Sequence, residues 1–286
     1  IPKLGILDHA LLGLSGDDSQ ALALVVRKHL FESNDLINIH TLIAIKNLVL
    51  NEKHRELPTK KQSNKIFNTL TAWRFTAEDT DVPEFFIDNT EERLAKEIAY
   101  TLNHAITPYL GKSNLNEANL NKLLDFYEKT ETFEVLSSFI FFSKKFDIAF
   151  DTLMKDIREG FYKKDTRKVV SSATALLNWC KLDFNDALKP LISKLIYSIN
   201  LNRTSGLTSL IYIANELYSL AYLSNENIST LIEVIPIIFD GSAYENVNPA
   251  SHLAINITSV RTESIKLARN LLKNYPDSEL KRIIDE

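Results

Sequence analysis

The sequence predicts an all-α fold of stacked antiparallel helix pairs, about twelve to fourteen helices in all. Three observations predict it. Apolar residues recur at helical steps along most of the chain. Between Phe146 and Phe239 the pattern returns about every 40 residues. And 286 residues hold only seven Gly and eight Pro, too few turn residues for a many-stranded β fold.

The return can be followed residue by residue. Phe146, Ala149, Phe150, Leu153 and Ile157 share one helix face, and a shift of 38 gives Phe184, Ala187, Leu188, Leu191 and Leu195. Leu188, Leu191, Ile192 and Leu195 shifted by 40 fall on Ile228, Leu231, Ile232 and Ile235. In the intervening helices, Val169, Val170, Ala173, Leu176 and Cys180 shifted by 41 fall on Leu210, Ile211, Ala214, Leu217 and Ala221. A helix pair of this length cannot bury its apolar face alone, so neighbouring pairs must cover it. Over 146–273 this arrangement resembles the HEAT and armadillo class of α-solenoids, by its period; the Pro-Asp-Arg turn of HEAT units is absent. The resemblance implies an α-solenoid-like body that works through an extended binding surface.

The elements follow in order. Residues 4–12 form a short apolar segment, and Asp17 or Asp18 caps a helix running to about Phe31. Asn34 or Asp35 caps the next, to about Leu50; Leu36, Ile37, Ile39, Leu42, Ile43, Ile45, Leu48 and Val49 make it apolar nearly all round, so it is expected to be central and buried. A polar connection at 51–63 leads to a helix over 63–76. The acidic stretch 78–92 follows, and then a helix to about Thr107 with Leu94, Ile98, Thr101, Leu102 and Ala105 inward, its first-turn acids matched to the helix dipole. Helices are expected at 116–130, 132–144, 146–163, 166–181 and 186–199, the last kinked at Pro190. Two more span 205–222 and 226–239; within the second, β-branched Leu231–Phe239, with Pro236, leaves a strand as the alternative. A long helix over 250–273, with Leu253, Ile257, Val260, Leu267, Ala268 and Leu271 inward, and a short final one from Asp277 or Ser278 complete the chain.

This divides the sequence into an N-terminal helical part (1–77), an acidic connection (78–92) and stacked helix pairs (93–286), clearest at 146–273. The chain does not begin with Met, and its last residues stop inside an amphipathic run, so it is expected to be a fragment of a longer protein. The prominence of Leu, Ile, Asn and Lys points to an AT-rich bacterial source. One cysteine, Cys180, offers no disulfide framework, and no apolar run is long enough to span a bilayer, which predicts a cytoplasmic setting.

Chemistry-bearing motifs are sparse. Gly13 and Gly16 do not make a phosphate cradle. His9, His29, His40, His54, His104 and His252 include no i,i+4 pair for a metal, and Asp79 with Asp81 does not extend into a calcium loop. His29 is read as a hydrogen-bonded core residue and Cys180 as a small buried hydrophobe. Phe139, Phe142, Phe146 and Phe150 are read as core packing. No cofactor, metal or catalytic residue is predicted.

Two charge features remain as interaction candidates. Glu78, Asp79, Asp81 and Glu84 could meet a basic partner; Lys53, Arg55, Lys60 and Lys61, with Lys163, Lys164, Arg167 and Lys168, could meet an acidic one. A net charge of −4 disfavours general nucleic-acid binding. The sequence therefore implies a non-enzymatic interaction, scaffold or sensor module that binds a protein, a neighbouring domain or another copy of itself. The alternatives are a nucleic-acid-contacting module using the basic loops, and an all-α enzyme whose carboxylates converge only in the fold.

Overall fold

Capping side chains fix where several helices begin. The computed structural model describes residues 29–51, 55–75, 90–163, 166–201, 206–241, 253–276 and 278–285, and these contain twelve α-helices and no strand. The chain divides into two compact units, Ile1–Asp151 and Thr152–Glu286.

In the first unit, α1 (Ile39–Leu50) starts at Asn38, whose side chain accepts from the His40 and Thr41 amides. α2 (Lys60–Thr71) starts in a capping box, Thr59 and Gln62 each closing on the other's backbone. α3 (Thr90–Thr101) runs on through a π-helical turn, Leu102–Ile106, and a 3-10 turn, Thr107–Tyr109. α4 (Glu117–Thr130) is capped by Asn116, and α5 (Leu136–Ser143) follows a 3-10 turn, Phe133–Val135. α6 (Asp147–Gly160) leads into the second unit. α2 and α4 lie side by side and parallel: Asn64 meets Asn119 at 3.0 Å, Asn68 meets Lys122 at 2.6 Å, and Arg74 pairs with Asp125. Ile45, Phe67, Ile98, Leu123 and Phe139 are among the fully buried side chains between the helices.

The second unit contains α7 (Thr166–Asp183), α8 (Lys189–Leu201), α9 (Leu207–Ser219), α10 (Asn225–Phe239), α11 (Leu253–Leu272) and α12 (Leu280–Asp285). α9 packs against α7 and α11, and α10 against α8 and α12. Their C-terminal ends register in parallel. Lys181 of α7 pairs with Glu216 of α9 at 2.7 Å, and just beyond them Phe184 stacks on Tyr222 with 3.9 Å between ring centroids. Asn215 and Tyr218 of α9 then meet Asn270 and Asn274, at the end of α11, at 2.8 and 2.7 Å. A two-bond fork from Arg282 to Asp240, at 2.9 and 2.7 Å, ties α12 to the end of α10.

At the shift of 40 the burial pattern of 188–197 recurs in part on α10: Ile192 is buried where Ile232 is half-buried, and Lys194 is half-buried where Val234 is buried. Leu188, Leu191 and Leu195 are buried, as are Ile228, Leu231 and Ile235. Ser193 and Glu233 are exposed, and so are Tyr197 and Ile237. The other ends of the expected repeat fall away: Ala187 is exposed, and Ala221 lies past α9 in the left-handed region at φ 57°.

Several expectations are corrected. α2 starts at Lys60, because the capping box stops the chain three residues before the expected position. Pro190 is the second residue of α8, preceded by a 3-10 turn that Asn185 caps, so its missing N–H costs no helix bond and no mid-helix kink arises. Leu231–Phe239 is helical; Pro236 sits in the last turn of α10. α1 is not buried all round, since His40, Asn47 and Leu50 are exposed. His29 is exposed, not a core residue. Phe139 and Phe142 are core residues as expected, while Phe146 and Phe150 are half-buried. The first helix, the Gly13–Gly16 segment and most of the acidic connection lie outside the described residues; the end of that connection, Thr90 to Glu92, opens α3.

Candidate functional site

A polar constellation gathers where α3 widens into its π turn. Pro108 has no N–H to give the carbonyl four residues back, so an α-helical turn cannot continue through it. The backbone opens instead: the Thr107 amide reaches the Leu102 carbonyl, five residues away. The wide turn is pinned from inside. The buried Asn103 amide donates to the Glu134 carbonyl, and its oxygen accepts from Ser138 Oγ at 2.5 Å. Thr107 Oγ1 closes the network on Ser138 Oγ at 3.2 Å.

The outer side of the turn carries titratable groups. Tyr100 stacks on His104 with 6.4 Å between centroids and 20° between planes. Lys46, from α1, pairs with Glu97 at 3.0 Å and lies 5.4 Å from the Tyr100 ring centre. Burial lowers the His104 pKa below its usual 6.5, and the Lys46 ammonium lowers it further. Burial also raises Tyr100, helped by the Glu134 and Glu97 charges. At neutral pH the site therefore presents a neutral imidazole, a protonated phenol and a compensated ion pair. That set can donate and accept hydrogen bonds toward a polar partner. It holds no activated nucleophile.

The residues singled out in the sequence are placed differently. Lys53, Glu78, Asp79, Asp81, Glu84 and Lys164 lie outside the described residues. Arg55 and Lys60 both reach the turn after α3: Arg55 donates to the Tyr109 hydroxyl, and the Lys60 stem runs against Gly111, which has φ +75°. Lys61 is exposed beside them at the start of α2. In the second unit, Lys163 is exposed after α6, and Arg167 and Lys168 begin α7 with interactions of their own.

Cys180 is buried as expected, and burial pushes its thiol up to about 12, so it stays protonated. No group of three or more His, Cys, Asp and Glu among the described residues is placed to hold a metal, and no described helix is long and apolar enough to cross a membrane. The π-turn site escaped sequence reasoning because Lys46 and Glu97 are 51 residues apart. Two local signals were there: the Tyr100–His104 spacing of one helical turn, and Pro108 four residues after His104. No family model matches this chain, and neither a curated protein nor a solved structure shows a significant match.

Proposed function

We propose that this chain is a helical-repeat interaction module, a scaffold or sensor part of a larger bacterial protein, on the HEAT and armadillo plan. Its partner is a protein: a neighbouring domain of the same chain, another copy, or a separate polypeptide. The observation that carries the reading is the pair Tyr197 and Ile237. They occupy equivalent positions on adjacent helices and are 59% and 55% exposed. A lone exposed apolar side chain is ordinary. Two large ones at corresponding positions form the kind of ridge that becomes the anchor of an interface. The parallel run of α7, α9 and α11, with α10 packed between α8 and α12, supports the repeat plan, since helix pairs laid one on another place alternate helices side by side.

The test is native isolation of the parent protein, with its mass measured in solution before and after nuclease treatment. A companion protein or self-oligomer that survives nuclease is expected, weakened roughly tenfold or more by Tyr197→Asp with Ile237→Asp. A companion released by nuclease, or a monomer with none, overturns the proposal.

A further inference from the structure

A second exposed aromatic is built differently, and it goes beyond the protein-binding reading. Tyr162, in the turn after α6, is 71% exposed. Its hydroxyl end is held by Lys194 of α8, whose ammonium lies 4.0 Å from the ring centre and donates to the phenolic oxygen. A side chain held at its hydroxyl end and this exposed offers ring face to solvent. Lys163 follows it directly and is exposed. Arg158 and Lys155, one and two turns earlier on α6, are exposed; Asp151 and Glu159 are exposed acids beside them, and Asp156 is half-buried.

We propose that Tyr162 is a stacking platform for an unpaired base of single-stranded nucleic acid, with Lys163, Lys194 and Arg158 taking the flanking phosphates. The chemistry fits on both counts. A ring with a free face stacks on any base, and an ammonium at its hydroxyl fixes the ring before the base arrives. Duplex DNA offers no free base face at such a site, whereas a single strand does. The overall negative charge of the chain confines this binding to the local patch and makes it weak and salt-sensitive.

The experiment is fluorescence anisotropy of a labelled oligothymidylate titrated with the full chain at about 50 and about 200 mM salt, alongside a duplex of equal length. The single strand is expected to bind at low salt and to weaken steeply at high salt. Tyr162→Ala should lose roughly tenfold in affinity, and Tyr162→Phe should keep most of it. Lys163→Glu should weaken binding and flatten the salt dependence. Tyr162 is on the surface, so circular dichroism should show each variant folded as the parent. Absence of binding at low salt overturns the proposal, as does equal affinity for the duplex or a Tyr162→Ala variant that binds as well as the parent. A Tyr162→Ala variant that loses a nuclease-resistant protein companion while binding the oligonucleotide unchanged also overturns it, by assigning the ring to a protein.

Discussion

Gly160 ends α6 where α7 crosses close by. A Cβ there would overlap Ser172 Oγ and lie 3.0 Å from Ser172 Cβ and 3.2 Å from the Lys168 carbonyl. Ser172 is fully buried and its hydroxyl has no partner. Gly160→Ala is therefore expected to destabilise the protein by about 1–3 kcal/mol through overpacking, read from urea unfolding. Ser172→Ala should recover part of the loss in the double variant and cost little alone, because it removes a buried oxygen that bonds to nothing. His104 carries the pH prediction. Its folded pKa is lowered, so its contribution to stability is complete above the unfolded value of 6.5 and is lost as pH falls through the folded one. The melting temperature should fall between about pH 7 and pH 5.5, and His104→Phe should flatten that segment of the curve. Lys46→Met should raise the His104 pKa, which an NMR titration of the imidazole would follow. The Asp240–Arg282 fork does not confuse the reading, since Arg282 holds the Asp240 carboxyl below 3.8 and its loss comes at lower pH.

The end of α9 is a Schellman motif. The Tyr222 amide reaches the Leu217 carbonyl at 3.0 Å, the Ala221 amide reaches Tyr218 at 2.9 Å, and the left-handed position between them is an alanine at φ 57°. Glycine is the usual residue there. Ala221→Gly should stabilise the chain by up to about 1 kcal/mol, seen as a higher melting temperature, without disturbing the Phe184–Tyr222 stack. Most helices were visible in the sequence because their apolar residues recur at helical steps, as at Leu120, Leu123 and Phe126 of α4. Their starts were less visible where a cap competes with periodicity. Asn38 rather than Asn34 or Asp35 caps α1, and Thr59 with Gln62 draws α2 forward. The π turn could not be read from local pattern, because a widened turn keeps the same apolar residues inward: Leu102, Ala105 and Ile106 are all buried. Nor could the cluster outside it, whose ion pair depends on where α1 lands on α3.

Along the whole chain, the period seen in sequence is regular only where the connections are short. The shifts of 40 and 41 relate α8 to α10 and α7 to α9. The side-chain pairs that join α9 to α11, and α2 to α4, are 55 residues apart. A search for one spacing therefore finds the middle of the chain and misses its flanks, although the same kind of helix adjacency holds in both. The two tryptophans report on different units, Trp73 on the first and Trp179 on the second. A chain of two compact units need not unfold all-or-none, so single-tryptophan variants, Trp73→Phe and Trp179→Phe, should give separate urea midpoints by fluorescence. Coincident midpoints would show one cooperative block instead. Cys180, alone in the chain and sealed within α7, turns the second unit into its own clock. A thiol reagent in the folded protein can react only during an opening of that helix, so the rate of a single covalent modification counts those openings. A partner that braces the second unit would slow that clock without touching the sulfur.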